Sequence, residues 1–228
     1  MLGWFIGFSS AMEMAEGLVA LLTCYYASRF YGLTGEKSLL WFQVAFLLLG
    51  VGLLSHGIAT SVALFLLVPG PGPIMAMRVL KATALVLFSC EAIGYGILIF
   101  SYVKGGGGGG APTHEEGDIA FLAPIALAAK RPPRILPEEL VKWIRYSPFL
   151  EAIVLVMLIY LAFRAIHGLT GRGGLGSFLV GFAFLFLTIA HVCFMLSPVL
   201  ASLYVVGHIF QLLAFTCFLG VVLRVMVA

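Results

Sequence analysis

Apolar residues run through this chain in long blocks instead of alternating with polar ones. Six blocks, at roughly 4–30, 39–68, 77–103, 147–167, 176–197 and 199–226, are almost uninterrupted. A bilayer core of about 30 Å is crossed by about 20 apolar helical residues, so each block predicts a transmembrane helix. Breakers fall between the blocks, at Gly32-Leu-Thr-Gly35, Pro69-Gly-Pro-Gly-Pro73, Gly168-Leu-Thr-Gly171 and Ser197-Pro198. The first block reads as a span and not as a cleaved leader, because it lacks a basic start, is too long, and carries Glu13 and Glu16.

The stretch 105–146 has a different pattern. It opens with six glycines, a flexible tether, and then gathers Glu115, Glu116, Asp118, Lys130, Arg131, Arg134, Glu138, Glu139, Lys142 and Arg145. Its apolar run 119–129 is too short to span and is interrupted by Pro124. The expectation is an interfacial linker with short helices, anchored near the headgroups by Trp143 and Arg145. The chain thus divides into 1–104, the linker 105–146, and 147–228.

The two flanking parts resemble each other. EGLVALLTCYYASR (16–29) lies over EAIVLVMLIYLAFR (151–164), with Glu, Val, Tyr, Ala and Arg matched. GLTG follows in both, and His56 and His191 each fall 27 residues beyond the matched arginine. In the third helices Glu91 lies over Gln211 and Lys104 over Arg224. Chance matching of Leu and Val does not reproduce Glu, Arg and His at common spacings. The fold class expected is therefore an all-α integral membrane protein of six spans, built as two three-helix repeats. With three crossings per repeat and no span in the linker, the second copy is expected to be inverted, an arrangement that recurs in secondary transporters.

Composition reinforces this class. The chain of 228 residues is 62% hydrophobic and 10% charged, against about 25% charged in soluble domains. So few charges do not cover a water-facing surface, which excludes a soluble enzyme, a disordered tail and a nucleic-acid binder. The expected partners are the lipid bilayer and a second copy or membrane-complex subunit. The net charge of +3 is uninformative. Asn is absent, which removes N-glycosylation acceptors and fits a thermophile-like composition. Cys24, Cys90, Cys193 and Cys217 lie singly in apolar runs and read as small hydrophobes. Eight basic residues fall on the linker side of the inverted arrangement and five on the other. The positive-inside rule then puts the linker in the cytoplasm and both termini outside a cell membrane.

The candidate chemistry lies in ionisable groups inside the apolar blocks, which are costly there and point to function by default. Glu16, Glu91, Glu151 and Gln211 each precede a basic residue by 13 positions, roughly 20 Å along a helix. Counting depth places Glu16, His56 and Glu91 at one level. Inversion places Glu151, His191 and Gln211 near the opposite face, with His208 one turn from Gln211. The same Glu and Arg positions also suit plain anchoring by the helix dipole, and a buried His bonded to Glu is a common structural pair. Three chemical readings follow. The clusters exchange protons or cations in a small carrier or channel-like protein. Alternatively His191 and His208, on facing helices across Ser197-Pro198, ligate a b-type haem for electron transfer. In the third, Glu16, His56 and Glu91, or Glu151, His191 and His208, hold a non-haem metal ion. A sensory or scaffolding subunit is the reading without chemistry, and no residue pattern marks a catalytic group. His208 breaks the repeat, since Phe88 occupies its equivalent position, and its expected partners are His191 and Gln211.

Overall fold

The computed structural model describes residues 2–67, 73–105, 148–169 and 175–227. They form six helices: α1 Leu2–Thr34, α2 Lys37–Leu67, α3 Pro73–Gly105, α4 Pro148–Leu169, α5 Leu175–Leu196 and α6 Ala201–Val227. No strand occurs among the described residues. The linker expected at 105–146 lies, after Gly105, outside them. Gly35 closes α1 with a backbone φ of 66°, and its N–H donates to the Tyr31 carbonyl at 2.8 Å. That left-handed conformation strains other residues, which is why a glycine ends this helix.

Five of the helices contain spans long and apolar enough to cross a bilayer: Lys37–Ala63, Arg78–Lys104, Phe149–Gly168, Leu175–Leu196 and Ser202–Arg224. The exception is α1, interrupted by Ser9, Ser10, Glu13 and Glu16. All four are buried against protein instead of facing outward, while Leu18, Leu22 and Tyr25 on the same helix are exposed. The bundle as a whole presents large apolar side chains outward, among them Val51, Ile58, Val86, Ile93, Val156 and Phe163. A continuous apolar exterior around a polar interior is unstable in water and natural in lipid. The protein is a multi-pass helical membrane protein.

The contacts fix the helix directions. Ser10 donates to the Gly57 carbonyl and Glu13 meets His56, while Gly17 lies against Gly50 and Leu54, so α1 and α2 are antiparallel. Gly52 sits on Cys90, and Gly94 on the Ala45 carbonyl, so α3 turns back again. The edge contacts Tyr95–His191 and Tyr102–Phe184 set α3 antiparallel to α5. Helix α5 is likewise antiparallel to α6 through Phe194–Tyr204 and Phe184–Phe218. Ser9 meets Tyr204 and Glu16 meets His208, so α1 and α6 run in the same direction.

These directions correct the expected inversion. Met157 lies beside Gly96 and Glu151 is within electrostatic range of Glu91, so α4 runs with α3; α1, α3, α4 and α6 thus run one way, and α2 and α5 the other. The second three-helix unit repeats the up-down-up order of the first. Gly105 and Pro148 consequently lie at opposite ends of the bundle, and so do the first residue of α1 and the last of α6. The inference of inversion, and of both termini on one side, depended on counting no crossing between the halves.

The core is shared by both halves. Phe46 packs edge-on to Phe215 and Phe218, and Phe184 packs on Phe218 from the other side. Between the halves α1 packs on α6 and α3 on α4. The buried ionisable residues come from all six helices.

Candidate functional site

An apolar helix that turns a polar stripe inward must satisfy that stripe from its neighbours. On α1 the stripe is Ser9, Glu13 and Glu16, spaced at i, i+4 and i+7 and therefore on one face. Ser9 Oγ donates to Glu13 Oε1 at 3.0 Å and lies 2.7 Å from Tyr204 Oη on α6. Tyr204 Oη donates in turn to Glu13 Oε1 at 3.3 Å. Glu13 Oε2 accepts from His56 Nδ1 on α2 at 2.7 Å. One turn further, Glu16 Oε1 accepts from His208 Nδ1 at 2.9 Å. That bond joins the first helix of the chain to the last and spans the two halves.

A third pair forms in the second unit, where His191 Nδ1 donates to Glu151 Oε2 at 2.6 Å. Glu91 on α3 lies within electrostatic range of His191, Glu151, Glu16 and Glu13. Tyr95, one turn along, lies within electrostatic range of Glu91, Glu151 and Glu16 and meets the His191 ring edge-on, with centroids 6.1 Å apart. All of these side chains, with Gln211, are at most 2% exposed. The expected clusters at opposite faces are instead a single layer, because parallel halves bring the equivalent residues to one height.

The pairings differ from expectation in detail. Glu151 meets His191, as depth alone suggests. His56 takes Glu13 as its partner, and Glu16 takes His208. The partners expected for His208, His191 and Gln211, make no hydrogen bond to it. Depth fixes a level but not a helix face, and Glu13 and Glu16 are close enough in height to serve either histidine. The sequence signal for Glu13 is its place in the Ser9–Glu13–Glu16 stripe, which the repeat alignment passes over because its equivalent is Pro148. Tyr95 and Tyr204 carry no comparable signal, since aromatic residues are frequent in every block.

The histidines show a common geometry. His191 and His208 each use Nδ1 for a carboxylate, and Nε2 of each has no hydrogen-bond partner. Glu16 Oε2, Glu91 Oε1, Tyr95 Oη and both polar atoms of the Gln211 amide are also unmatched. Buried polar atoms in native interiors are nearly always satisfied, so their concentration in one layer singles it out as the candidate site. Phe194 lies edge-on to both imidazoles, with centroids 5.7 Å from His191 and 5.0 Å from His208. It is seated against Gly207, where a Cβ would come within 2.6 Å of the Phe194 ring.

The two non-haem ligand triads expected from the sequence do not form. Among the described residues no three His, Cys, Asp or Glu side chains are grouped to hold a metal ion. Phe194 lies edge-on to both rings, so a haem between His191 and His208 would have to displace it. The four cysteines are unbridged. Comparison with protein-family models, with curated proteins and with solved structures finds no match.

Proposed function

We propose that this chain is a small membrane carrier that moves protons or monovalent cations through a His/Glu layer between its two halves. The observation that carries the reading is the Glu16–His208 bond. It is fully buried, it joins helices of different halves, and each member keeps one polar atom unmatched. A carboxylate–imidazole pair binds and releases a proton near neutral pH. Placed between two packed units, it links protonation to how those units sit against each other.

The repeat supports this reading. The aligned residues Glu16 and Glu151, His56 and His191, and Glu91 and Gln211 belong to matching helices of two units with the same direction. The packing of α1 on α6 corresponds to that of α4 on α3. Units of this kind fit the parallel form of transporter repeat, in which a two-fold axis along the membrane normal relates the halves. Arg29, Lys37, Lys104, Arg164 and Arg224 fall at one end of the helices, and Arg78 and Lys81 at the other. The positive-inside rule puts the richer end, and with it the end of α6, in the cytoplasm.

Purified protein in liposomes with a trapped pH-sensitive dye tests the proposal. A potassium diffusion potential set with valinomycin is expected to drive proton uptake above that of protein-free vesicles. Glu16→Gln and His208→Gln should each lower the rate about tenfold or more, in keeping with a general acid–base group. Wild-type protein that leaves the vesicles as tight as empty ones ends the carrier reading.

The second reading is a haem or metal protein of electron transfer. The observation in its favour is the orientation of His191 and His208, with Nδ1 on a carboxylate and Nε2 free, as in metal-bound imidazoles. An absorption spectrum separates the two readings. A Soret band lost in both the His191→Ala and His208→Ala variants establishes haem, and its absence together with proton flux leaves the carrier.

A further inference from the structure

Among the described residues the polar layer contains four buried carboxylates, Glu13, Glu16, Glu91 and Glu151, and three buried imidazoles, His56, His191 and His208. Each imidazole is bonded to one carboxylate. A carboxylate–imidazole pair sharing one proton is electrically neutral whichever atom holds that proton. Three pairs thus account for six groups and leave Glu91. Among the described residues it makes no ion pair and its Oε1 has no hydrogen-bond partner. An uncompensated carboxylate inside a membrane protein costs many kcal/mol unless a positive charge joins it.

Among the described residues no ion pair supplies that charge. The ionisable groups within electrostatic range of Glu91 include His191, Glu151, Glu16 and Glu13, and Tyr95 from its own helix. The histidine is bonded to Glu151, and the remaining carboxylates add negative potential. On α2 the ionisable group in the layer is His56, bonded to Glu13. On α3 itself Lys81 comes ten residues earlier, about 15 Å away along the helix. Oxygen atoms, in contrast, are in excess: Glu91 Oε1, Glu16 Oε2, Tyr95 Oη and the Gln211 carbonyl are all buried and unmatched. Hard cations are held by oxygen ligands of this kind.

We infer that Glu91, with Glu16, Tyr95 and Gln211, forms a binding site for one exchangeable monovalent cation, either an alkali ion of the sodium class or a proton carried on Glu91. This deepens the carrier reading and rests on it only for the movement of the ion. Binding itself is independent of transport. The one-to-one match of imidazoles and carboxylates elsewhere in the layer sets the stoichiometry at a single charge.

The experiment uses the full chain in detergent at pH 8, with NaCl replacing choline chloride at constant ionic strength. For a sodium site, the wild-type Tm rises by about 5 °C at a hundredfold excess over Kd, and Glu91→Gln abolishes the rise. Tyr95→Phe and Gln211→Met retain Glu91 and should lower the sodium affinity about tenfold without removing it. These variants keep the test open if Glu91→Gln does not fold. For a proton site, the Tm is indifferent to sodium, and the infrared spectrum contains a protonated-carboxyl band that Glu91→Gln removes. Either result supports the site and identifies its ion. A sodium-indifferent Tm together with an infrared spectrum unchanged by Glu91→Gln overturns it. Because neither measurement requires flux, the outcome is separable from that of the vesicle assay.

Discussion

His208 shows how a single residue can carry both stability and chemistry. Aligning the two halves by sequence sets Phe88 opposite it, and Phe is the substitution that this alignment suggests. In the assembled bundle its Nδ1 is the partner that Glu16 has among the described residues. Replacing one member of a buried pair costs about 3–5 kcal/mol because the other is left charged and alone. His208→Phe should therefore lower thermal stability by roughly that amount. The double variant Glu16→Gln with His208→Phe should recover most of the loss, since no uncompensated charge remains. Thermal unfolding of the three proteins in one detergent measures both differences. A stable His208→Phe single variant would mean that Glu16 finds another partner. The pairing of Glu13 with His56 predicts a parallel penalty for His56→Phe.

At the scale of the element, small residues decide how closely the helices approach and therefore whether the polar pairs can form. Gly17 and Gly50 face each other across α1 and α2. A Cβ on Gly50 would lie 2.7 Å from Leu21 Cδ2 and 3.1 Å from the Gly17 carbonyl. Gly94 is similarly close to the Ala45 carbonyl, at 3.2 Å. Gly50→Val should push α1 off α2, strain the Glu13–His56 bond two turns away and cost about 1–3 kcal/mol, the usual price of overpacking. Gly96 has only Met157 Cε at 3.6 Å beside its virtual Cβ, so Gly96→Ala should be neutral in the same unfolding assay. All four glycines look alike in the sequence, where Gly50, Gly52, Gly94 and Gly96 each suggest close packing. Only the neighbouring side chains distinguish the three that are tight from the one that is not.

For the whole molecule, the decisive feature is that the two units run in the same direction. Thr34 and Gly168 should then label from one side of the membrane, and Val199 from the other. Single-cysteine variants at these positions, in a background free of the four native cysteines, test this with a membrane-impermeant thiol reagent on sealed vesicles. If Thr34 and Gly168 label from opposite sides, the halves are inverted and the common polar layer is lost. Parallel units explain why the layer is single. Residues aligned between the halves by sequence reach the same height only when both units begin at the same end.

The sequence by itself determined the membrane class, the six described helices to within a few residues, and the burial of Glu16, His56, Glu91, Glu151, His191, His208 and Gln211. These are consequences of hydrophobic run length and helical rise, which are local quantities. Helix direction in the second unit, the choice of Glu13 over Glu16 for His56, and the bond from Glu16 to His208 across 192 positions were decided only by the tertiary structure. Each depends on which faces meet when α1 packs on α6 and α3 on α4. The rise along a helix fixes height, whereas the azimuth of a side chain acquires a partner only once the neighbouring helix is in place.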